Sequence, residues 1–161
     1  MVHKDLMEEE IMTYRLANTE DIPEMCRIRN LQLTDEGDET AVDIDKEMEE
    51  FFRRKLEDGS LVQFMLEEDG KTIATAGILF IELTPSFSCR TGVRGYVTDM
   101  YTAPEYRGRG IATTMLGKLR DVAAERNVTR LMLGASIYGR PVYKKFGFMD
   151  LEDWMYMDLD I

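Results

Sequence analysis

Residues 96–113 read Tyr96-Val97-Thr98-Asp99-Met100-Tyr101-Thr102-Ala103-Pro104-Glu105-Tyr106-Arg107-Gly108-Arg109-Gly110-Ile111-Ala112-Thr113. A run rich in aromatic and β-branched residues stops at Pro104, and an Arg- and Gly-rich loop follows. From Ile111 onward, Ala112, Met115, Leu116, Leu119, Val122 and Ala123 recur at the helical period. This predicts a strand over 96–102 and a helix over 111–126, closed by Asn127 in a left-handed cap. The loop then sits at the N-terminus of that helix. Its first backbone N–H groups have no intrahelical partner, and the helix dipole is positive there. Both features favour an anion such as a pyrophosphate. Gly108 and Gly110 allow close approach to the backbone, and Arg107 and Arg109 add charge and forked donors. The competing reading is a basic turn that only joins strand to helix.

Outward from this unit, residues 13–16 read as a first strand. Asn18-Thr19-Glu20-Asp21 reads as a helix start, with a capping side chain and acids in the first turn. Ile22, Met25, Cys26 and Leu33 give that helix a partial apolar face, and residues 34–40 read as an acidic loop. Ile44, Met48, Phe51, Phe52 and Leu56 mark a second helix ending at Gly59. Residues 61–67 and 72–83 flank Glu68-Asp69-Gly70-Lys71, where Asp-Gly signals a hairpin. Residues 84–95, with Pro85 and Gly92, form a loop of the kind that lines sites. Beyond Asn127 the reading is a fifth strand over 130–135, a short helix begun by Pro141 and ended by Gly147, and a closing strand over 154–159. The order βααβββαβαβ implies one mixed α/β layer structure. One domain spans residues 1–161, with 1–11 a flexible extension.

Composition bounds the function. A chain of 161 residues fits one well-covered core. No apolar run approaches the roughly 20 residues of a membrane span, and Met1 to Glu10 is too acidic for a signal peptide. No membrane partner and a cytoplasmic location are therefore expected. Cys26 and Cys89 form no CxxC pair and read as small buried hydrophobes. The single histidine, His3, lies near a chain end. That argues against Ser-His-Asp or Cys-His nucleophilic sites and His-bearing zinc sites, so no metal is expected. A net charge of −11 disfavours nucleic acid. It favours a cationic substrate through steering, or serves solubility alone.

Three anion-binding patterns compete for the loop. Gly134 to Pro141 has P-loop spacing but carries Arg140 and Pro141 where Lys and Ser or Thr belong. Gly108-Arg109-Gly110-Ile111-Ala112-Thr113 lacks the third small residue of a dinucleotide fingerprint. The third pattern fits. Arg107-x-x-Gly110-x-Ala112 resembles the pyrophosphate motif (Q/R)-x-x-G-x-(G/A) of the GNAT superfamily of N-acyltransferases. Arg140-Pro141-Val142-Tyr143-Lys144-Lys145-Phe146-Gly147-Phe148 resembles the family's A-x-x-x-Y-x-x-x-G-F tail, with Gly139 in place of Ala and Ser136 where many members have Asn. The motif likeness covers residues 96–148.

The resemblance implies a central twisted mixed sheet splayed between strands 4 and 5, flanked by about four helices. Acetyl-CoA would lie in the splay. Backbone groups of Met100, Tyr101 and Thr102 would pair with pantetheine, while Arg107, Gly108, Arg109, Gly110, Ile111, Ala112 and Thr113 would hold the pyrophosphate. Ser136 would donate one hydrogen bond to the pantetheine arm. Direct attack of a primary amine on the thioester is then expected, with Tyr143 as the acid for the departing thiolate. Packing with Phe146 and Phe148 is the competing role for Tyr143. Asp99 is the candidate base; a water relay is the alternative. Tyr101 shares its strand face with Asp99 and lines an acceptor pocket or packs in the core. Acceptor specificity is assigned to the Phe51–Phe52 region and residues 85–94. A homodimer is compatible with this reading. The rivals are a module that senses acyl-CoA without turnover and a domain that binds NAD or a nucleotide.

Overall fold

The computed structural model describes residues 11–38 and 42–159; residues 1–10 of the expected N-terminal extension, His3 among them, lie outside the described residues. Strand β1 (Met12–Leu16) is followed by a 3-10 turn (Thr19–Asp21), helix α1 (Ile22–Asp35) and helix α2 (Asp45–Glu57). Strands β2 (Leu61–Glu68), β3 (Lys71–Glu82) and β4 (Val93–Thr102) come next. A second 3-10 turn (Pro104–Tyr106) leads into helix α3 (Ile111–Glu125), strand β5 (Leu131–Met132) and helix α4 (Arg140–Phe146). The five strands form one sheet in the order β1-β2-β3-β4-β5. β1 to β4 are antiparallel to their neighbours, and β4 pairs with β5 in parallel.

Local chemistry explains most of these elements. Asn18 accepts from the Glu20 N–H at 2.8 Å, and Asp21 accepts from the Asn18 N–H at 2.8 Å, closing a reciprocal cap. Asp69 (φ 49°) and Gly70 (φ 75°) are both left-handed, as a two-residue hairpin turn requires. Asn127 adopts φ 57° beyond α3, as its position after the apolar repeat predicts. Arg15 donates to Asp21 at 2.7 Å and to Glu67 at 2.6 Å, tying β1, the start of α1 and β2 together. The guanidinium in turn holds the Asp21 carboxyl below its ordinary value.

The sheet is covered on both faces. Ile111, Met115, Leu116 and Leu119 of α3 pack on Leu66, Ala74, Ala76, Ile78 and Val97. On the other face, Ile22, Met25, Cys26, Met48 and Phe52 pack around Leu61. β3 lies in the middle, so residues 72–78 are buried without interruption rather than in alternation. Cys26 and Cys89 are both buried and unpaired, as read from sequence. Burial pushes the Cys26 thiol up to about 11.

Two strands differ from expectation. β5 is two residues long instead of spanning 130–135, because its pairing with β4 stops at Tyr96↔Met132 while β4 runs on to Thr102. The closing strand over 154–159 is not formed. Both sets of its alternating side chains lie in solvent: Met155 is 94% exposed and Tyr156 90%. Alternation supplies strand propensity, but a strand also needs an edge on which to satisfy its backbone groups. Among the described residues none pairs with this segment.

Gly95 lies at the one place where β4 and β5 meet. A Cβ there would fall 2.6 Å from Ile78 Cδ1 and 2.8 Å from Leu131 Cδ2. Gly95→Val is expected to cost about 1–3 kcal/mol by overpacking. Denaturant unfolding checks this, and an unchanged midpoint would mean that the contact yields freely.

Candidate active site

The site is built where β4 runs past the end of β5. After the Pro104–Tyr106 turn, Gly108 (φ 74°) and Gly110 (φ 79°) are left-handed, a conformation that strains any residue with a Cβ. A Cβ at either position would meet nothing within 4 Å. Glycine is therefore required by the backbone there, and the space in front of it is open. Gly110 is the N-cap of α3 and supplies no capping side chain. The first helical bond runs from Thr114 N–H to Gly110 O at 3.0 Å. The amides of Ile111, Ala112 and Thr113 thus stand at the positive end of a 15-residue helix.

Both loop arginines are committed to the protein. Arg107 donates from Nε to Thr102 O at 2.9 Å and from Nη2 to Asp35 at 2.6 Å. Arg109 donates to Glu105 O at 3.0 Å, and its guanidinium lies 5.0 Å from the Tyr106 ring centroid. The Tyr106 hydroxyl binds Glu68. The arginines brace the loop.

A cavity of about 680 Å³ opens in front of the loop. Of the residues assigned from sequence, Met100, Tyr101, Thr102, Arg107, Gly108, Gly110, Ile111, Ala112, Thr113, Ser136 and Tyr143 line it; Asp99 and Arg109 do not. Gln32, Asp35 and Glu36 of α1 and its C-terminus form a wall that sequence reading missed, as do Tyr106, Tyr138, Gly139, Val142 and Lys145. The tail motif already marked residues 139–145 and could have supplied three of these, Gly139, Val142 and Lys145. No local pattern marks the α1 wall. Phe51, Phe52 and residues 85–94 are not part of the lining; Phe52 is buried in the core between α2 and the sheet.

Tyr143 projects from α4 into this cavity. Burial, and secondarily the Glu36 carboxylate, raise its hydroxyl above the ordinary tyrosine value. It also packs edge-on to Phe148, with centroids 5.9 Å apart. Ser136 Oγ accepts from the Gly139 N–H at 3.1 Å, so its own proton remains available to donate into the cavity. Gly139 has an ordinary backbone, so its role is space: a Cβ there would sit 2.8 Å from Tyr143 Cε2 and 3.3 Å from Ser136 Oγ.

Asp99 is displaced by a bulge. Pairing jumps from Gly77↔Thr98 to Thr75↔Tyr101, so that Asp99 and Met100 oppose Ala76 alone. Asp99 has φ 53°, and its carbonyl accepts from Thr75 Oγ1 at 2.8 Å. Its carboxylate turns toward α1, with Oδ1 3.6 Å from Arg29 Nε. Burial pushes the carboxyl above its ordinary value, and the charge of Arg29 and the Thr98 hydroxyl oppose this. Met100 packs on the opposite side, against the α3 core. Among the described residues no group of His, Cys, Asp or Glu side chains could hold a metal ion, and no helix is long and apolar enough to cross a membrane.

The loop, the helix N-terminus and the end of β4 border one cavity, and comparison with known proteins gives the family that this chain belongs to. The sequence model of the Acetyltransferase (GNAT) family matches residues 22–148. The chain belongs to that family. It is similar to a predicted acetyltransferase from Clostridium acetobutylicum with a crystal structure in the presence of acetyl-CoA: identity is 47%, coverage 92% of this chain and 96% of that one, and the TM-score 0.91. It is also similar to the thialysine N-epsilon-acetyltransferase of Bos taurus, 29% identical over 90 residues, covering 54% of this chain and 51% of that protein. The glucosamine 6-phosphate N-acetyltransferase of Trypanosoma brucei brucei is 25% identical over 96 residues, covering 60% of this chain and 63% of that protein. The chain therefore spans about half the length of the first curated relative and less than two thirds of the second.

Gly139→Ala tests the packing around Tyr143. The added methyl crowds the ring at about 1–3 kcal/mol, against about 0.4–1 kcal/mol gained by restricting the unfolded chain. A net loss of stability is expected in denaturant unfolding, together with a changed near-ultraviolet tyrosine signal. A net gain would mean that the ring is free to move aside.

Proposed function

We propose that this chain, as a single domain, transfers an acetyl group from acetyl-CoA to a primary amine by direct attack in a ternary complex. The observation that carries the reading is the uncapped N-terminus of α3, with two left-handed glycines before it, opening onto a cavity that also holds Tyr143. The likeness to the Clostridium acetobutylicum protein, whose structure includes acetyl-CoA, supports that choice of co-substrate. The residues present fit it: the amides of Ile111, Ala112 and Thr113 suit a pyrophosphate, and the exposed edge of β4 at Met100, Tyr101 and Thr102 suits an amide-bearing arm. When bound, acetyl-CoA supplies the activated acyl group. A cytoplasmic setting completes the proposal, on the two unpaired cysteines.

The chain's residues would then handle protons. Tyr143, held neutral by burial and by Glu36, gives its proton to the sulfur released as the amine nitrogen bonds the acyl carbon. Asp99 lies outside the cavity lining, so as base it would draw the ammonium proton through a water. The acceptors named for relatives are amines: thialysine and glucosamine 6-phosphate. The alternative of a binding module without turnover draws on the packing of Tyr143 against Phe148, which would retain this residue for structural reasons.

Thiol release from acetyl-CoA across a panel of amines separates the two. Turnover is expected, and binding without release on any amine would favour the module. Tyr143→Phe is expected to lower kcat by about 100-fold and leave acetyl-CoA affinity nearly unchanged; unaltered turnover would remove the proposed role. Asp99→Asn is expected to change the pH–rate profile, and an identical profile would exclude it as base.

A further inference from the structure

The cavity has two carboxylates in its α1 wall, and the structure treats them differently. Asp35 is neutralised by Arg107 at 2.6 Å. Glu36 forms no ion pair among the described residues; its carboxylate accepts only from the neutral amide of Gln32, at 3.1 Å. That contact is built rather than incidental. Gln32 is buried, with 7% of its surface exposed, and Arg29 donates to its Oε1 at 2.9 Å. The Gln32 amide is thereby oriented with its NH₂ toward Glu36. Arg29 is in turn held beside Asp99 next to the β4 bulge. A chain of contacts thus runs from the centre of the sheet to a cavity-wall carboxylate that makes no ion pair among the described residues, although Lys145 lines the same cavity.

Glu36 and Tyr143 line the same cavity, and the Glu36 charge helps to raise the Tyr143 hydroxyl. A cation seated against Glu36 would therefore share the cavity into which Tyr143 projects. We propose that Glu36 is the specificity-determining residue that receives a cationic group of the acceptor by ion pairing, selecting cationic primary amines over neutral ones. This deepens the acetyl-transfer reading and rests on it. The overall charge of −11 works in the same direction by drawing cations to the surface.

The test uses binding, so it does not depend on turnover. The protein is saturated with CoA, and 1,4-diaminobutane is titrated calorimetrically into wild type, Glu36→Gln and Glu36→Asp. The expected result is an affinity about tenfold lower in Glu36→Gln and partly restored in Glu36→Asp. The wild-type affinity falls more steeply with salt than that of Glu36→Gln. Equal affinity in wild type and Glu36→Gln, including no binding by either, overturns the proposal. The CoA titration that precedes each run is a separate readout. Equal CoA affinity in all three proteins is expected, and failure of wild type to bind CoA would instead sink the acetyl-transfer reading.

Discussion

Among the described residues β4 and β5 pair in register only at Gly95↔Leu131 and Tyr96↔Met132, with Gly95 N–H donating to Arg130 O at 3.0 Å, and the arrangement of the site depends on that short contact. A longer ladder would have closed the sheet and left no room between the strands. Instead β4 continues to Thr102 paired with β3 on one side only, and Met100, Tyr101 and Thr102 line the cavity on the other. α3 begins at one wall of the gap and α4 at another, so a helix N-terminus and Tyr143 share one space. The contact is kept close by the absence of a side chain at Gly95, where Ile78 and Leu131 occupy the volume.

Charge is used mainly to brace this opening. Arg107 joins the loop to β4 and α1, and Arg109 folds over Tyr106. Arg29 holds Gln32 and faces Asp99. The exposed Arg107–Asp35 pair contributes about 0–1 kcal/mol, so its value here is geometric. Arg107 and Arg109 hold the loop at the N-terminus of α3. Under the proposed function an anion there would be met by pre-oriented dipoles, whose ordering is settled on folding.

Much of this was legible in the sequence because it is local. Asp69-Gly70, the apolar repeat of α3, Asn127 and the glycines at 108 and 110 each act through their own backbone or through neighbours one helical turn away. The paired motifs around Arg107 and Tyr143 pointed to the family and to most of the cavity lining. What stayed hidden depends on contacts distant in sequence. The bulge that turns Asp99 toward α1 arises from a mismatch with β3, and strict alternation cannot reveal it. The pairing of Arg107 with Asp35, 72 residues away, ties the loop to α1. The carboxylates of α1 look like ordinary surface acids until the fold sets them opposite α4. The segment 154–159 has strand-like alternation but no ladder, since propensity does not create an edge.

The central claim is that the N-terminus of α3 holds a pyrophosphate. Calorimetric titration of the wild-type protein with CoA and, separately, with pantetheine, which lacks that group, tests it most directly. The account predicts that CoA binds at least about 100-fold more tightly and that its affinity falls as ionic strength rises. Equal affinities for the two ligands, or no binding of CoA, would contradict it.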